Sequence, residues 1–399
     1  MNAKKISPAL KTSVSSLLPL RVALKILNLI FARYGMNIRV DDKTKLLLSH
    51  ELFTLHMRQT FFYKWLKEIF QGNAELCFGE GYMGNDWWLV TGKLEDVLWI
   101  FYQLLEDKTI FKRSNKSFLS GQTNTPKISR VNIAHHYDLG NDLYKNFLDT
   151  EMNYSAAIYA KNMSLAQAQT NKNEILIKLL RPQKPNPSVL EIGCGWGALS
   201  RAMCRKGFHV TGISLATAQI NWCRKIQDEE KLHDVPLRYR LVDYREHCKQ
   251  NIMRYDHVIS VEMIDHVGKE HMGEFFQHVY KALKSSGTFV LQILTRPRPG
   301  RTTKWIDKYI FPGGYIASLA EIRSALDKTD FDYKIINYGG QHYAKTLHEW
   351  QNKFNDNWSE LSKHGYDKTF YRMWNYYLSA STMAFAKAGF ETLHLQLKK

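Results

Sequence analysis

The sequence has no uninterrupted apolar run of about 18 residues, which is the length that a membrane-spanning helix needs. Its five cysteines form no CxxC pair and no Cys/His spacing typical of a metal site. An odd number of thiols indicates a reducing compartment. No apolar stretch near Met1 precedes a cleavage site, so we expect no secretory signal. These absences predict a cytoplasmic chain that folds around an apolar core, without disulfides or metals.

Basic residues are in excess, with 55 Lys and Arg against 38 Asp and Glu, a net charge of +17. Such a charge favours an anionic partner, either nucleic acid or an anionic membrane surface. The aromatic fraction of 13% suits a bulky apolar ligand or, equally, a large aromatic core. Composition leaves both choices open.

The 399 residues are enough for two domains. Residues 1–110 are predicted to form a mostly helical domain, in which Leu18–Phe31 has helical apolar spacing and suits either a core helix or a membrane interface. Residues 111–130 are polar and basic, as in a linker. Residues 131–399 form the second predicted domain.

Short apolar runs alternate with helical patterns after residue 131. Ala218–Glu229 and Met272–Leu283 are examples of the predicted helices. This alternation predicts an α/β fold whose mostly parallel sheet is covered on both faces. The seven predicted strands are Ser188–Ile192, His209–Leu215, Leu237–Val242, His257–Val261, Thr288–Leu294, Tyr333–Asn337 and Glu391–Leu397.

A glycine-rich turn follows the first of these strands, in VLEIGCGWG from Val189 to Gly197. Gly193, Gly195 and Gly197 allow positive φ and close approach to a ligand. Glu191 lies inside the strand, where a lone carboxylate is costly without a partner. The spacing differs from a dinucleotide motif, and the next strand ends at Ser214 without an acidic residue. The segment resembles the S-adenosylmethionine motif of class I methyltransferases; a turn without a ligand is the alternative.

Four residues after the next two strands are further candidates for cofactor binding. Ser214 and Gln219 fall where a ribose or methionine moiety would lie. Asp243, with Tyr244 beside it, suits either an acceptor for the adenine amine or a helix cap.

Further segments extend the resemblance to the cyclopropane-fatty-acyl-phospholipid synthases, from about residue 75 to the end. These segments are Phe78–Trp87, His135–Tyr144, Met152–Ser155, Ser260–Gly268, Tyr309–Gly314, His342–Trp350 and Tyr376–Phe385. The resemblance implies a class I methyltransferase domain with a seven-stranded sheet and a smaller, mostly helical N-terminal lipid-binding domain. It also implies that Tyr154 and Ser155 cover the cofactor.

The activity implied by the resemblance is transfer of a methyl(ene) group from S-adenosylmethionine to a double bond of an unsaturated membrane phospholipid. The product would be a cyclopropane or methyl-branched acyl chain. A basic chain suits peripheral association with the anionic inner face of the membrane. Members of the family are often dimers, but the sequence carries no interface signature.

A bound bicarbonate accepts the proton in the synthases, and its site departs from their pattern here. The four corresponding positions hold Ala156, Asp265, Gln292 and Tyr343, of which Tyr343 alone is unchanged. Because Gln292 cannot change its protonation near neutral pH, bicarbonate is doubtful. Another anion, a water or a side chain would then take this role. The candidate side-chain bases are Glu262, Asp265 and His266.

Other functions stay open at this point. The C-methylation step of furan fatty acid synthesis would need a partner redox enzyme, because the chain carries no second nucleotide motif. A small-molecule N-methyltransferase shares the C-terminal motifs, and the changed site suits a non-catalytic lipid-binding protein. Nucleic-acid methylation ranks last, because no base-flipping motif accompanies the basic charge.

Overall fold

The computed structural model describes residues 22, 27, 28, 30–41, 53–106, 128, 132, 139–232 and 235–399. Contacts divide the chain into two compact units. One comprises residues 1–117, 303–305 and 367–380, and the other residues 118–302, 306–366 and 381–399. Most of Leu18–Phe31, nearly all of residues 111–130 and the start of His135–Tyr144 lie outside the described residues. The predicted domain boundaries stay a prediction.

The first unit contains helices, as predicted, and also a small sheet that the sequence analysis did not predict. Its strands run in the order β1-β2-β3, with β1 and β2 parallel and β3 antiparallel to β2. These strands owe their identity to pairing with residues distant in the sequence, which local patterns do not show. The elements are β1 Met36–Val40, β2 Phe53–Met57, α1 Gln59–Gln71, α2 Ala74–Met83, β3 Trp87–Thr91 and α3 Leu94–Glu106.

An aromatic core explains the glycines of the Phe78–Trp87 segment. The indole of Trp87 donates to the Phe78 carbonyl at 2.7 Å, and the two rings stack 4.2 Å apart. A Cβ on Gly79 would lie 2.3 Å from the Trp305 ring. Helix α2 therefore needs glycine at this position to admit the indole.

The second unit is built on a seven-stranded sheet in the order β6-β5-β4-β7-β8-β10-β9. The strands β4 to β8 pair in parallel, and β10 is antiparallel to both β8 and β9. The sheet confirms all seven strands predicted after residue 131, and with them the α/β class I methyltransferase fold. The strands are β4 Ser188–Ile192, β5 His209–Ser214, β6 Leu237–Leu241, β7 Tyr255–Val261, β8 Leu283–Thr295, β9 Asp332–Gly339 and β10 Glu391–Lys398.

Helices connect these strands, including the two predicted from the sequence. No helix among the described residues is long and apolar enough to cross a bilayer. The helices after residue 140 are α4 Asn141–Phe147, α5 Leu165–Leu180, α6 Ala198–Arg205, α7 Thr217–Glu229, α8 Tyr244–Gln250, α9 Met272–Ala282, α10 Lys304–Tyr309, α11 Leu319–Leu326, α12 Gln341–Asp356, α13 Trp358–Leu361 and α14 Lys368–Lys387.

Apolar clusters cover both faces of the seven-stranded sheet. Successive residues of β4, Val189 and Leu190, pack into opposite clusters, as do Phe289 and Val290 of β8. All four are fully buried. Strands buried on both faces read as continuous apolar runs, which is why the sequence revealed them. The parallel strands place their carboxyl ends at one edge, where such folds bind ligands.

Candidate active site

The glycine turn joins β4 to α6 at this edge, with φ of +81° at Gly193, +52° at Gly195 and +84° at Gly197. A Cβ on Gly193 would lie 2.7 Å from Met263, and one on Gly197 would lie 2.6 Å from the Tyr239 hydroxyl. A Cβ on Gly195 would meet nothing within 4 Å. Packing therefore requires two of the glycines, while the third borders open space.

A cleft lies beside the turn, at the edge of the sheet where folds of this kind bind small molecules. The sequence-predicted residues on its wall are Tyr154, Ser155, Glu191, Gly193, Gly195, Gln219 and Glu262. The other lining residues are Met152, Asn153, Lys172, Cys194, Trp196, Ala198, Leu199 and Val261. The structure thus brings seven predicted residues to one cavity.

The buried carboxylate of Glu191 has its hydrogen-bond partner in the Ser200 hydroxyl, which donates to its Oε2. Burial raises the pKa of Glu191 to about 7, against the Ser200 hydrogen bond and the charges of Lys172 and Arg201. The carboxyl is therefore poised between its two protonation states near neutral pH.

Ser214, the last residue of β5, and Gln219 form one hydrogen-bonded unit. The Ser214 hydroxyl donates to Gln219 Oε1 at 2.9 Å and accepts from the Ala216 amide at 3.1 Å. This arrangement holds the Gln219 side chain against the cleft wall.

Asp243 caps α8, which is the structural alternative that the sequence left open. Its Oδ1 accepts from the Arg245 amide at 2.8 Å, and the Arg245 guanidinium pairs with Oδ2 at 2.9 Å. The Tyr244 ring packs edge-on against Phe275 in the core. These contacts account for both residues without a ligand, and their contact with adenine stays a prediction.

Glu262 lies just after β7 and joins three parts of the site. Its Oε1 accepts from the Ala156 amide at 2.9 Å and from Gln292 Nε2 at 2.6 Å. Its own amide donates to the Gln292 carbonyl at 2.9 Å. With a φ of +50°, Glu262 occupies the left-handed region that non-glycine residues rarely adopt. The local hydrogen bonds hold this unfavourable conformation in place.

Burial raises the pKa of Glu262 to about 7, while the Gln292 and Ala156 hydrogen bonds and the Lys172 charge lower it. A carboxylate with such a pKa can accept a proton near neutral pH and release it again.

Gln292 fills the space between Ala156 and Glu262. The side chain is fully buried, and its Nε2 also donates to the Ala156 carbonyl at 3.0 Å. Two of the four positions expected to border a bicarbonate are therefore directly hydrogen-bonded to each other.

Asp265 and His266 follow in a short 3-10 turn. Burial and the nearby Glu262 charge raise the pKa of Asp265 well above its usual range. Its Oδ1 is buried with no hydrogen-bond partner among the described residues. Burial lowers the pKa of His266 to about 4, so the imidazole is neutral. Asp265 therefore holds its proton to a higher pH than an exposed aspartate does, and His266 is uncharged near pH 7.

Tyr343, on α12, connects to the cleft through a series of aromatic rings. Its ring lies 4.5 Å from Phe385 and 5.9 Å from Trp350, and Trp350 lies 5.1 Å from Tyr154. Aromatic faces of this kind attract a cation.

The sequence analysis missed Lys172, which lines the cleft from α5. The side chain is only 2% exposed, and its Nζ donates to Ser155 Oγ at 2.8 Å. Burial lowers the pKa of Lys172 to about 8, against the charges of nearby carboxylates. Its spacing was the available signal, because Ala168 and Leu176, four residues to either side, are buried on the same helix face.

Comparison with known proteins gives consistent matches. Residues 124–395 match the family described as mycolic acid cyclopropane synthetase. The chain is 33% identical over 285 residues to "Tuberculostearic acid methyltransferase UfaA1" of Mycobacterium tuberculosis, covering 67% of this chain and 64% of that protein. It is 33% identical over 252 residues to "Cyclopropane-fatty-acyl-phospholipid synthase" of Escherichia coli, covering 63% of each. The matches thus span under two thirds of both relatives.

Among solved structures, the cyclopropane synthase MmaA2 from Mycobacterium tuberculosis superposes with a TM-score of 0.61 at 26% identity. The match covers 68% of this chain and 98% of that one. The family match alone extends over more than half of the sequence and includes the whole cleft wall. On these grounds the chain belongs to the mycolic acid cyclopropane synthetase family.

Proposed function

We propose that this protein transfers a methyl group from S-adenosylmethionine to a double bond of an unsaturated phospholipid acyl chain. Family membership supports a methyltransferase that acts on lipid acyl chains, since the relatives are named as fatty acid methyltransferases and a cyclopropane-fatty-acyl-phospholipid synthase. The observation that carries the proposal is Glu262, a carboxylate held on the cleft wall with a pKa raised to about 7.

The cleft fits the proposed cofactor. Gly195 leaves open space at the end of β4, as a closely approaching ligand requires. We propose that Glu191 and Gln219 supply its polar contacts and that Tyr154 and Trp196 pack against it. When bound, S-adenosylmethionine supplies an electrophilic methyl group on a sulfonium.

The protein's own groups must then position the alkene and exclude water. They must also stabilise the positive charge that develops on the acyl chain and accept the proton that the chain loses. As the alkene π electrons form the new C–CH₃ bond, the bond from the methyl carbon to sulfur would break, its electron pair would stay on sulfur, and positive charge would develop on the neighbouring acyl carbon. The rings of Tyr154, Trp350 and Tyr343 are our candidates for stabilising it.

Glu262 then takes a proton, and the C–H electron pair closes the reaction. If the proton comes from the new methyl group, this pair forms a ring bond and gives a cyclopropane. If it comes from the adjacent chain carbon, the pair forms a double bond beside a methyl branch. No bicarbonate is needed, because Gln292 and Ala156 hold a carboxylate in place.

We further propose that the protein docks peripherally on the anionic inner face of the membrane. The net charge of +17 supports this, since each basic side chain near an anionic surface contributes about 1 kcal/mol of attraction. A homodimer and a partner redox enzyme are further proposals that no contact described above addresses.

Expression in a bacterium that lacks its own synthase tests the proposal by mass spectrometry of total fatty acids. We expect monounsaturated chains to gain one CH₂. A product that resists mild hydrogenation is a cyclopropane, and one that takes up hydrogen is a methyl-branched alkene. Methylated amines without any acyl product would instead identify a small-molecule N-methyltransferase.

A further inference from the structure

A second buried residue, His394, stands behind Gln292. The two residues are direct cross-strand partners on β10 and β8. Both side chains are fully buried, and His394 Nε2 lies 2.8 Å from Gln292 Oε1. The imidazole is thus linked to the proposed base by two hydrogen bonds, both made by the Gln292 side chain.

The partners fix which way the Gln292 amide points. One end of the amide faces two acceptors, the Ala156 carbonyl at 3.0 Å and Glu262 Oε1 at 2.6 Å, so this end must be the NH₂ group. The other end must then be the carbonyl, which needs a donor. His394 therefore carries its proton on Nε2.

The imidazole suits this role because it is neutral. Burial lowers the pKa of His394 to about 3, with a contribution from the Lys172 charge. Its Nδ1 is buried with no hydrogen-bond partner in the described part of the chain, and its ring packs 4.5 Å from Tyr338. A single proton on Nε2 accounts for the one hydrogen bond observed.

We propose that His394 is a positioning residue that locks Gln292 as a donor and thereby keeps Glu262 ionised as the base. The inference rests on the proposed function for its catalytic consequence. If the Gln292 amide turned over, its carbonyl would face the carboxylate of Glu262 and favour the protonated acid. His394 therefore acts on Glu262 through the amide.

Other groups also face Glu262, and they stay in place when His394 is replaced. Lys172 approaches from α5 and lowers the pKa of Glu262. Asp265 lies on the following turn, and the Glu262 charge raises its pKa. Glu191 lies on the same cleft wall on β4, and His266 is uncharged. A shift on replacing His394 would therefore report the loss of its donor.

The test compares His394→Leu, which removes the donor, with His394→Gln, whose amide can restore it. The first readout is the pH dependence of kcat/KM on liposomes of unsaturated phosphatidylglycerol. We expect the acid limb of His394→Leu to move up by about one pH unit or more, with a loss of about tenfold at pH 7. His394→Gln should keep the wild-type midpoint. His394→Met replaces His394→Leu if the leucine variant fails to fold.

Isotope-edited infrared titration of the Glu262 carboxylate gives a second readout that needs no turnover. The Glu262 band is identified by its loss in Glu262→Gln. The same upward shift in His394→Leu, absent in His394→Gln, supports the inference even if no acyl chain is methylated, a result that would count against the proposed function alone. An unchanged Glu262 midpoint in His394→Leu overturns the inference and leaves the proposed function standing.

Discussion

The ammonium group of Lys172 donates a hydrogen bond to the Ser155 hydroxyl across 2.8 Å, with both side chains buried at the cleft. Gln169, one helical turn earlier, donates to the Ser155 carbonyl at 2.8 Å. Helix α5 thus holds Ser155 at two points. The same ammonium lowers the pKa values of Glu191 and Glu262.

Replacing Lys172 with Met should therefore impair the proposed base. Without the positive charge, the pKa of Glu262 rises and less carboxylate is present at pH 7. We expect kcat/KM at pH 7 to fall about tenfold or more, with partial recovery toward pH 8.5. Lys172→Arg, which keeps the charge, serves as the control. Equal activity of Lys172→Met and wild type across this range would contradict the electrostatic role.

Glu262 and Asp265 form a matched pair for identifying the base. Glu262→Gln keeps an acceptor for the Ala156 amide but cannot take a proton, so acyl product should fall by about 10²-fold or more. Asp265→Asn replaces a carboxyl whose protonated form is favoured by burial and by the Glu262 charge with a neutral group of similar shape, and its activity should stay within about threefold of wild type. Initial rates at pH 7 decide the matter. A larger loss in Asp265→Asn than in Glu262→Gln would assign the base to Asp265.

Substitutions in the glycine turn should distinguish an effect on cofactor affinity from an effect on stability. Gly195→Ala adds a methyl group toward open space at a φ of +52°, which costs roughly 1 kcal/mol of stability. Its affinity for S-adenosylhomocysteine should nevertheless fall tenfold or more. Gly193→Ala meets Met263 at 2.7 Å and should lower Tm further. Calorimetric titration and thermal melts measure the two effects. Unchanged affinity in Gly195→Ala would show that the cofactor does not bind beside Gly195.

The pH dependence of stability should reveal the cost of burying Glu191. Its pKa is raised from 4.5 to about 7 on folding, so its contribution to stability is full below pH 4.5 and is lost as pH rises through 7. The free energy of unfolding of Glu191→Gln, relative to that of wild type, should therefore rise by about 2–3 kcal/mol from pH 5 to pH 8. Denaturant unfolding at both values checks this. If the substitution changed the free energy of unfolding equally at pH 5 and at pH 8, the pKa of Glu191 would not be raised to about 7.

Local patterns were enough to predict the seven-stranded sheet and its glycine turn. Strands such as Ser188–Ile192 are buried on both faces, and each ends at a clear change of pattern. The three-stranded sheet was missed because its short strands, such as Met36–Val40, gain their identity from pairing with distant residues.

The residues behind the cleft wall were harder to predict. Lys172 reads as an ordinary helical lysine until the fold brings Glu191 and Glu262 near it. His394 becomes significant only through its cross-strand pairing with Gln292. Glu262 was one candidate base among three, because a sequence does not give the burial and hydrogen bonds that set pKa values.

Label transfer in vitro tests the central claim most directly. The purified protein is incubated with liposomes of unsaturated phosphatidylglycerol and methyl-labelled S-adenosylmethionine, and the lipids are then split into acyl chains and headgroups for mass spectrometry. The account predicts label in the acyl chains with the wild-type protein and little or none with Glu262→Gln. Label confined to headgroups, or acyl labelling that is undiminished in Glu262→Gln, would contradict it.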